Sequence, residues 1–490
     1  MSCARIKARK LSNFKRSFSC CCRSSQEARP ATSFKQHPDI AHIRDNVELY
    51  EQNASLRNYP QHAKTPSLIA ANAQRISEFN AALKKPRVQV KALQSQLTSK
   101  TSDKPKLLAE IKRLKPLVDK LVKEQDNLEE VNKSLGLALP NLTSRYTPRD
   151  GQEKVISYLN YDPEKPPALV KGADHSLIGE KLGLIDFSSA STASGWGFYY
   201  LLNEAALLEQ ALVQYAVSVA RRRGWQVVTP PSLVYSHIAE ACGFQPRDHN
   251  DEQQIWQVAQ PAKDDGKPKR SLAATAEIPL AGLYAGKDIR EQDLPLRLVG
   301  ASRCYRAEAG ARGVDTKGLY RVHEFTKVEM FAWTDNPGHL TSDLDMEQWL
   351  KSTNDVFDEM ISIQIELLTE LGVPCRILEM PSSDLGASAY RKIDIEALFP
   401  SRLSRDNGWG EVTSVSICTD YQTRRLDTRT LEKGGSRKKF PHTVNGTAVA
   451  IPRVLAAILE HGWRANEQSV VIPQVLRPFM GGLEKIERKG

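Results

Sequence analysis

The fold is decided by the stretch Arg303-Cys304-Tyr305-Arg306-Ala307-Glu308, followed after a glycine-rich turn by Leu319-Tyr320-Arg321-Val322-His323-Glu324-Phe325-Thr326-Lys327-Val328-Glu329-Met330. β-forming residues flank this turn, and the pattern predicts two antiparallel strands. The hairpin would bring Arg306, Glu308, Arg321 and Glu329 into one neighbourhood. Arginine binds a phosphate with two parallel hydrogen bonds while it stays charged, and a nearby carboxylate can hold an amine. These residue types suit a site that binds a nucleoside triphosphate beside an amino acid.

The triplet Arg306-Ala307-Glu308 resembles motif 2 of the class II aminoacyl-tRNA synthetases, whose core is Arg-x-Glu. A surface ion pair gives the same triplet, but the continuation over residues 323–330 is similar to the seryl-tRNA synthetase form of this motif. The resemblance implies an α+β fold, with an antiparallel sheet flanked by helices and an N-terminal antiparallel helical hairpin. It also implies a homodimer formed through the catalytic domain.

The length and the charge distribution limit the possible functions. A chain of 490 residues has room for two or three domains, and no apolar run reaches the roughly 18 residues of a membrane span. No membrane association is therefore expected. Nine Lys and Arg and one acid give residues 1–38 a charge of +8, which leaves +2 of the total +10 for the rest. Nucleic-acid binding by the body would therefore depend on local basic patches.

Residues 1–38 are basic, rich in serine and nearly free of acids, and they lack the apolar core of a secretory signal. This composition predicts a disordered mitochondrial transit peptide, and hence a location in the mitochondrial matrix. The alternative is a disordered basic tail that contacts RNA directly, in a cytoplasmic protein.

Four of the eight cysteines lie in this basic segment. The others, Cys242, Cys304, Cys375 and Cys418, are scattered, with neither Cys-x-x-Cys nor paired histidine spacing. Neither disulfides nor a zinc site is therefore expected.

Residues 67–139 have the periodicity of two long helices. Two heptad runs are separated by the polar residues 98–103, and their apolar members are Ile69, Ile76, Phe79, Leu83, Val90, Leu93 and Leu97, then Leu107, Ile111, Leu114, Val118, Leu121, Leu128 and Leu135. This pattern predicts an antiparallel hairpin, on the order of 50 Å long at about 1.5 Å per residue. Ser102 or Asp103 would cap the second helix. Pro86 and Pro116 lie about equally far from the turn and are expected to face each other.

Such a hairpin is consistent with a dimerising coiled coil. Seryl-tRNA synthetases, however, carry an N-terminal arm of this kind, so the resemblance implies that residues 39–150 bind tRNA(Ser). The distal half is rich in basic residues: Lys84, Lys85, Arg87, Lys91, Lys100, Lys104, Lys106, Lys112, Arg113 and Lys115. Basic side chains in this arrangement suit phosphate contacts without base readout.

Residues 151–490 are interpreted as the class II catalytic domain. An apolar stripe predicts a helix over residues 198–222, and a strand is expected over residues 224–231, which end in Pro230 and Pro231. Helix, strand and proline together resemble motif 1, which builds the dimer interface of this class. An ordinary α/β junction has the same pattern.

The triplet Thr275-Ala276-Glu277 matches the serine-binding triplet of the family, although Thr275 alone also fits a helix N-cap. A site that hydrogen-bonds a small polar side chain rejects analogues that lack it. The other serine-binding residues that the resemblance implies are Arg306, Glu329, Asn445 and Thr447.

Residues 410–416 alternate as a strand, Gly410-Glu411-Val412-Thr413-Ser414-Val415-Ser416. In the resembling family the matching Glu411 and Ser414 hold a Mg²⁺ that bridges ATP phosphates, and oxygen ligands suit this ion. In a regular strand two residues three apart do not share a face, so a bend or bulge would be required. A plain strand with solvated polar positions is the alternative.

The run Asn445-Gly446-Thr447-Ala448-Val449-Ala450-Ile451-Pro452-Arg453 resembles motif 3, in which Arg453 would bind the γ-phosphate. Ala448 and Pro452 replace glycines common in the family. Alanine would add a methyl group near the substrate pocket, and Pro452 can open a helix.

The resemblance implies serine–tRNA ligation with ATP as substrate and Mg²⁺ as cofactor. Arg306, Glu308 and Arg453 would be catalytic, with Phe325 stacked on adenine. The full implied ATP-binding set is Arg306, Ala307, Glu308, Arg321, Val322, Phe325, Glu411, Val412, Thr413, Ser414 and Arg453. The alternative is an inactive synthetase-like protein with an RNA-binding or regulatory role.

Overall fold

The structure is a computed structural model that describes residues 34–97, 103–167, 172–244, 254–307, 318–338, 350–431 and 438–488. Within these ranges the α-helices are α1 Ile40–Asp45, α2 Val47–Leu56, α3 Thr65–Gln96, α4 Lys104–Ala138, α5 His175–Lys181, α6 Phe187–Ser194, α7 Asn203–Arg222, α8 Ser236–Ala241, α9 Glu277–Gly282, α10 Lys351–Glu370, α11 Tyr421–Leu426 and α12 Ile451–Gly462. None of these helices has the length and apolar character of a membrane span.

The strands of the same ranges are β1 Lys154–Leu159, β2 Ile185–Asp186, β3 Tyr200–Leu201, β4 Gln226–Val227, β5 Leu233–Tyr235, β6 Gln257–Val258, β7 Arg270–Leu272, β8 Asp288–Arg290, β9 Leu296–Tyr305, β10 Glu324–Thr334, β11 Cys375–Glu379, β12 Arg391–Leu398, β13 Trp409–Thr419, β14 Arg429–Leu431, β15 Lys438–Lys439, β16 His442–Ala450, β17 Trp463–Arg464, β18 Ser469–Val471 and β19 Lys485–Glu487. Eight of them form the main sheet, in the order β1-β11-β12-β13-β16-β10-β9-β4. Neighbours are antiparallel except β4 and β9, which are parallel. The antiparallel sheet and its β9–β10 hairpin are as predicted.

One face of the main sheet is apolar, and the opposite face, called the polar face below, carries the polar site residues beside a second apolar cluster that includes Phe331 and Trp333 of β10. Helices α7, α10 and α12 cover the apolar face, where β10 and β13 contribute the buried residues Val328, Met330 and Val415. Because side chains alternate along a strand, the residues between them point to the opposite face. Glu329 and Ser414 therefore lie on the polar face, where the site residues gather.

The arm is the pair α3 and α4, and every predicted seam residue is buried or half-buried. Asn72 Nδ2 donates to Asn132 Oδ1 over 2.9 Å, and Asn132 Nδ2 donates to Ile69 O over 3.2 Å. This register places Pro86 within one turn of the level of Pro116, but Pro86 is half-buried and Pro116 is exposed. The expectation that the two prolines face each other stays a prediction. The predicted cap also forms, because Asp103 accepts a hydrogen bond from Lys106 N. Ser102 and the turn lie outside the described residues.

The base of the arm is tied to the catalytic body by buried polar contacts. Arg57 is fully buried, and its guanidinium donates to Asn141 O at 2.9 Å and to Gly386 O at 2.5 Å. Asn141 Nδ2 in turn donates to Ser388 O at 2.8 Å and to Cys418 O at 2.9 Å. The exit of the arm is therefore fixed to β13, the strand that carries Glu411 and Ser414.

Residues 34–38 lie against the body, although they fall in the segment predicted to be a disordered transit peptide. Phe34 packs against an apolar cluster that includes Leu298 and Trp333. His37 N donates to Arg424 O over 2.9 Å, and Arg424 Nη2 donates to Asp39 Oδ2 over 2.8 Å. The prediction for residues 1–33 concerns a range outside the described residues.

Two predicted elements around motif 1 have different bounds. The helix begins at Asn203 rather than at residue 198, because Tyr200–Leu201 pairs with Ile185–Asp186 as a short strand. The following strand is only Gln226–Val227, at the edge of the sheet. Prolines 230 and 231 lack the N–H group that a longer ladder requires.

Candidate active site

A cleft with about 500 Å³ of empty space lies on the polar face of the sheet. Its lining comprises Arg306, Tyr320, Arg321, Val322, Phe325, Lys327, Glu411, Val412, Thr413, Ser414, Thr447, Ala450, Pro452 and Arg453. Nine residues implied for ATP binding are among them. Ala307 is not in this lining, and its N–H donates to Gln254 O. Glu308 lies outside the described residues.

A bulge in β13 brings Glu411 and Ser414 to the same face. Ile395 of β12 pairs with Thr413, but the next residue, Glu396, pairs with Glu411, so Val412 has no partner in the ladder. The extra residue reverses the alternation. This is the irregularity that the proposed metal pair requires, and regular strand geometry would have separated the two side chains.

Arg453 is held at the start of α12 by hydrogen bonds to Glu411 and Tyr320. Its Nη1 donates to Glu411 O at 2.9 Å and to Glu411 Oε2 at 3.0 Å, and its Nε donates to Tyr320 O at 3.1 Å. Pro452 lies in the first turn of this helix, as expected. The motif 3 arginine therefore meets the base of the motif 2 hairpin beside the proposed metal carboxylate.

Tyr320 also supports Arg453 through its ring. The guanidinium carbons of Arg453 and Arg402 lie 4.5 Å and 3.9 Å from the ring centroid. Both distances are within the range of a cation–π contact. Sequence reasoning missed Tyr320 and Arg402, since the only local signal was an aromatic residue next to Arg321.

Glu411 is an anionic group despite its surroundings. Burial raises its pKa, but the charges of Arg453, Lys392 and Arg306 outweigh this effect and lower the pKa to about 2. Asp394, opposite Ser414 on β12, is buried, and its Oδ1 has no hydrogen-bond partner among the described residues. The other oxygen of Asp394 lies 2.7 Å from Lys392 Nζ. The Glu411 carboxylate and the Ser414 hydroxyl are oxygen donors of the kind that Mg²⁺ prefers.

A second group of acidic residues lies next to the cleft, at the start of α9 and on β10. Glu277 and Glu329 are both buried, and Glu329 Oε2 lies 2.6 Å from Lys327 Nζ and 3.3 Å from Thr447 Oγ1. Glu277 has no cationic partner within ion-pair distance among the described residues. Burial and the charge of Glu329 raise the pKa of Glu277 to about 8.

Thr275 and Ala276 precede Glu277 and are buried with it. Thr275 Oγ1 accepts a hydrogen bond from Glu277 N over 3.3 Å, but it does not act as the N-cap, which is Ala276. Asn445 lies two residues before Thr447 on the same face of β16, and its Oδ1 accepts from Cys418 Sγ at 3.3 Å. The serine-binding residues predicted from sequence thus lie close to one another.

Arg306 links the two halves of the site. It follows directly after β9, its N–H donates to His323 O at 2.9 Å, and its guanidinium lies 5.3 Å from the centre of the Phe325 ring. Its charge lowers the pKa of both Glu277 and Glu411. A group bound at either carboxylate would therefore lie within electrostatic reach of Arg306.

The expectation that the methyl group of Ala448 lies near the substrate pocket was wrong. Its side chain is fully buried in the apolar cluster under the helices, and not in the substrate pocket. Ala448 is the extra residue of a bulge in β16, because Val328 pairs with Val449 and Glu329 pairs with Thr447, and Ala448 and Val449 both face the apolar cluster.

Among the described residues there is no cluster of three or more His, Cys, Asp or Glu side chains that could hold a metal ion. Cys242, Cys304, Cys375 and Cys418 are free and buried.

Comparison with known proteins identifies the family. Residues 259–462 match the model of the tRNA synthetase class II core domain (G, H, P, S and T). The mitochondrial serine–tRNA ligase of Saccharomyces cerevisiae is 37% identical, over 91% of this chain and 94% of the relative. The chain belongs to the serine–tRNA ligase family.

Relatives outside fungi and solved structures agree with this assignment. The serine–tRNA ligase of Rhodopirellula baltica is 35% identical, over 90% of this chain and 98% of that protein. The seryl-tRNA synthetase of Pyrococcus horikoshii, solved as a complex with ATP, superposes with a TM-score of 0.81 at 29% identity and covers 92% of this chain and all of that one. The fold predicted from sequence, a class II synthetase core with a helical arm, is confirmed.

Proposed function

We propose that the protein is a serine–tRNA ligase that activates L-serine with ATP and transfers the seryl group to tRNA(Ser). In the first step a serine carboxylate oxygen attacks the α-phosphorus of ATP, which forms seryl-adenylate and releases pyrophosphate. In the second step the terminal ribose hydroxyl of the tRNA attacks the seryl carbonyl and AMP leaves. The observation that carries this proposal is that one cleft is lined by Arg306 and Arg453 and also by Lys327 and Thr447, the two partners of the buried Glu329.

The acidic pair would receive the amino acid. Glu329 is already neutralised by Lys327, whereas Glu277 has no cation within ion-pair distance among the described residues. The serine ammonium would therefore bind nearest Glu277, and its positive charge would favour the carboxylate form of this buried group. Thr447, which donates to Glu329 and also lines the cleft, lies where the two substrates would meet.

The arginines would receive the phosphates. Arg306 would neutralise charge that develops at the α-phosphate, because its charge acts on both Glu277 and Glu411. Arg453 would bind the γ-phosphate from the start of α12. Catalysis would then come from positioning and charge neutralisation, without a covalent enzyme intermediate.

Glu411 and Ser414 would hold Mg²⁺, since both oxygens lie on one face and line the cleft. When bound, the ion would neutralise phosphate charge during the transfer. In the structure Arg453 donates a hydrogen bond to one carboxylate oxygen of Glu411. A bound phosphate would accept from Arg453 in its place and leave this oxygen to the ion.

The inactive alternative would be favoured by loss of a phosphate-binding arginine or of the metal carboxylate. The chain retains Arg306, Glu411 and Arg453 around one cleft. The catalytic proposal therefore accounts for the site better than an RNA-binding or regulatory role alone.

The arm formed by α3 and α4 would bind tRNA(Ser) through its exposed lysines and arginines, which can contact backbone phosphates. Homodimer formation would use the motif 1 region. Supporting this, Leu207 on α7 and Val227 on β4 are both more than half exposed, at 54% and 52%. Residues 1–33 would direct import into the mitochondrial matrix, a location that fits the relatives named mitochondrial.

ATP–pyrophosphate exchange tests the proposed function. The purified protein should exchange label only with L-serine among the 20 amino acids, and should then charge tRNA(Ser). Exchange with another amino acid, or none with serine at millimolar concentration, would contradict the proposal.

A further inference from the structure

Gln422 belongs to a buried chain of hydrogen bonds that ends at Glu277, the carboxylate of the proposed serine pocket that has no cationic partner within ion-pair distance among the described residues. Gln422 Nε2 lies 2.6 Å from Glu277 Oε1, and Thr443 Oγ1 donates to Gln422 Oε1 over 2.6 Å. Gln422 and Thr443 are completely buried. The three residues come from α11, α9 and β16, so only the folded chain brings them together.

The chain fixes the orientation of the Gln422 amide. An ionised carboxylate only accepts hydrogen bonds, whereas an amide has a donor end and an acceptor end. In the structure the donor end faces Glu277 Oε1, and Gln422 Oε1 accepts a hydrogen bond from the Thr443 hydroxyl. Because all these groups are buried, an incorrect orientation would leave polar atoms unpaired, which is costly.

The charged and titratable groups around Glu277 explain why the hydrogen bond from Gln422 matters. They are Glu329 and Lys327 of β10, Arg306 after β9, Cys242 of α8 and Cys418 of β13. Burial and Glu329 raise the pKa of Glu277, whereas Lys327, the Gln422 hydrogen bond and Arg306 lower it. Gln422 thus provides a neutral donor that favours the carboxylate form without occupying the place of a substrate cation.

We propose that Gln422 is a positioning residue for amino-acid activation: its amide, oriented by Thr443, holds the Glu277 carboxylate as the acceptor for the substrate ammonium. This inference rests on the proposed function, since it assumes that serine binds beside Glu277. Gln422 itself does not need to touch the substrate.

Replacing Gln422 with methionine tests the role, with Thr423→Val as the matched control. Thr423 is the next residue of α11 and is equally buried, but its hydroxyl donates to Asp420 O and Pro441 O instead. KM for serine and KM for ATP are measured by pyrophosphate exchange from pH 6.5 to 9.

In Gln422→Met, KM for serine at pH 7 should rise about 10- to 100-fold, the scale of a lost hydrogen bond to a charged group. KM for ATP should stay within about twofold. The serine defect should shrink toward pH 9, where Glu277 ionises without help. Thr423→Val should resemble the wild type.

Thr443→Val provides a second, milder test, because it removes only the hydroxyl that orients the amide. It should raise KM for serine in the same pH-dependent way, and it decides the matter if Gln422→Met does not fold. Equal changes in both KM values, a pH-independent defect, or a Thr423→Val enzyme with the same defect would overturn the inference. Absence of serine exchange by the wild type would instead contradict the proposed function.

Discussion

Replacing Tyr320 with leucine is expected to weaken the use of ATP, because the ring of this residue supports Arg453. The guanidinium of Arg453 lies 4.5 Å from the ring centroid, and that of Arg402 lies 3.9 Å from it. Leucine keeps apolar bulk at this position. It also leaves the backbone carbonyl that accepts from Arg453 Nε in place. The substitution therefore removes mainly the aromatic face.

The size of the effect follows from the two contacts. A cation–π contact contributes about 0.5–2 kcal/mol, with the upper value at sites shielded from water. Of these two arginines only Arg453 is proposed to bind ATP, so one cation–π contact sets the scale of the kinetic loss. Since ~1.4 kcal/mol corresponds to a tenfold change, kcat/KM for ATP should fall by about 2- to 30-fold.

The assay is pyrophosphate exchange with varied ATP at saturating serine. Tyr320→Phe is the matched control, because phenylalanine keeps the ring and removes only the hydroxyl. This variant should stay within about twofold of the wild type, and KM for serine should change little in either variant. Wild-type kinetics in Tyr320→Leu, or equal losses in both variants, would refute a role for the aromatic face.

Four further outcomes are expected. Glu329→Ala should abolish serine activation, because it removes a carboxylate of the proposed serine pocket and leaves Lys327 buried without its partner. Gel filtration of the variant should show an unchanged elution volume. Serine-dependent exchange near the wild-type rate would exclude Glu329 from the site. Replacing residues 76–128 by a short Gly/Ser linker should leave pyrophosphate exchange largely unchanged, since the remaining body keeps the proposed ATP and serine contacts. Aminoacylation of tRNA should fall greatly. Efficient charging of tRNA would favour a coiled-coil interaction role for the arm. Burial lowers the pKa of His442 to about 4, below its unfolded value of about 6.5, so the folded state loses stability as the pH falls from 6.5 to 4.5. Over this interval the free energy of urea unfolding of His442→Asn should fall by about 2 kcal/mol less than that of the wild type. Parallel pH profiles of the two proteins would contradict the assignment. A chain that lacks residues 1–38 should have a Tm at least about 2 °C below that of a chain that lacks residues 1–33, because Phe34 and the His37 hydrogen bonds are lost. Equal Tm values for the two truncations would show that these contacts contribute nothing.

Features that depend on local periodicity could be predicted from the sequence. The heptad seam of the arm needs only spacing along each helix, and the seam residues are buried or half-buried as expected. The motif 2 hairpin was predicted for the same reason, because short-range β-propensity and a glycine-rich turn specify it. The resemblance to a known family then indicated which side chains would meet, including Arg306, Glu411 and Arg453.

Features that depend on non-local pairing could not be predicted. Asn132 occupies a seam position, but its partner Asn72 becomes evident only once the register of the two helices is known. Tyr320 and Gln422 support Arg453 and Glu277 from other elements, and nothing in their local sequence identifies those partners. The predicted start of α7 was wrong for a related reason, since pairing with residues 185–186 overrides the apolar periodicity of residues 200–201.

The bulge at Val412 explains how one strand serves both the core and the site. Val412 is buried in the apolar cluster, while Glu411 and Ser414 face the cleft on either side of it. Regular pairing would reverse the orientation of one of the two polar residues, because a shift of one residue exchanges the faces of a strand. A buried, unpaired carboxylate would then lie among the apolar residues under α10 and α12, at a cost of several kcal/mol. The unpaired residue therefore allows Glu411 to reach Arg453 in the cleft while Thr413 and Val415 remain buried in the core.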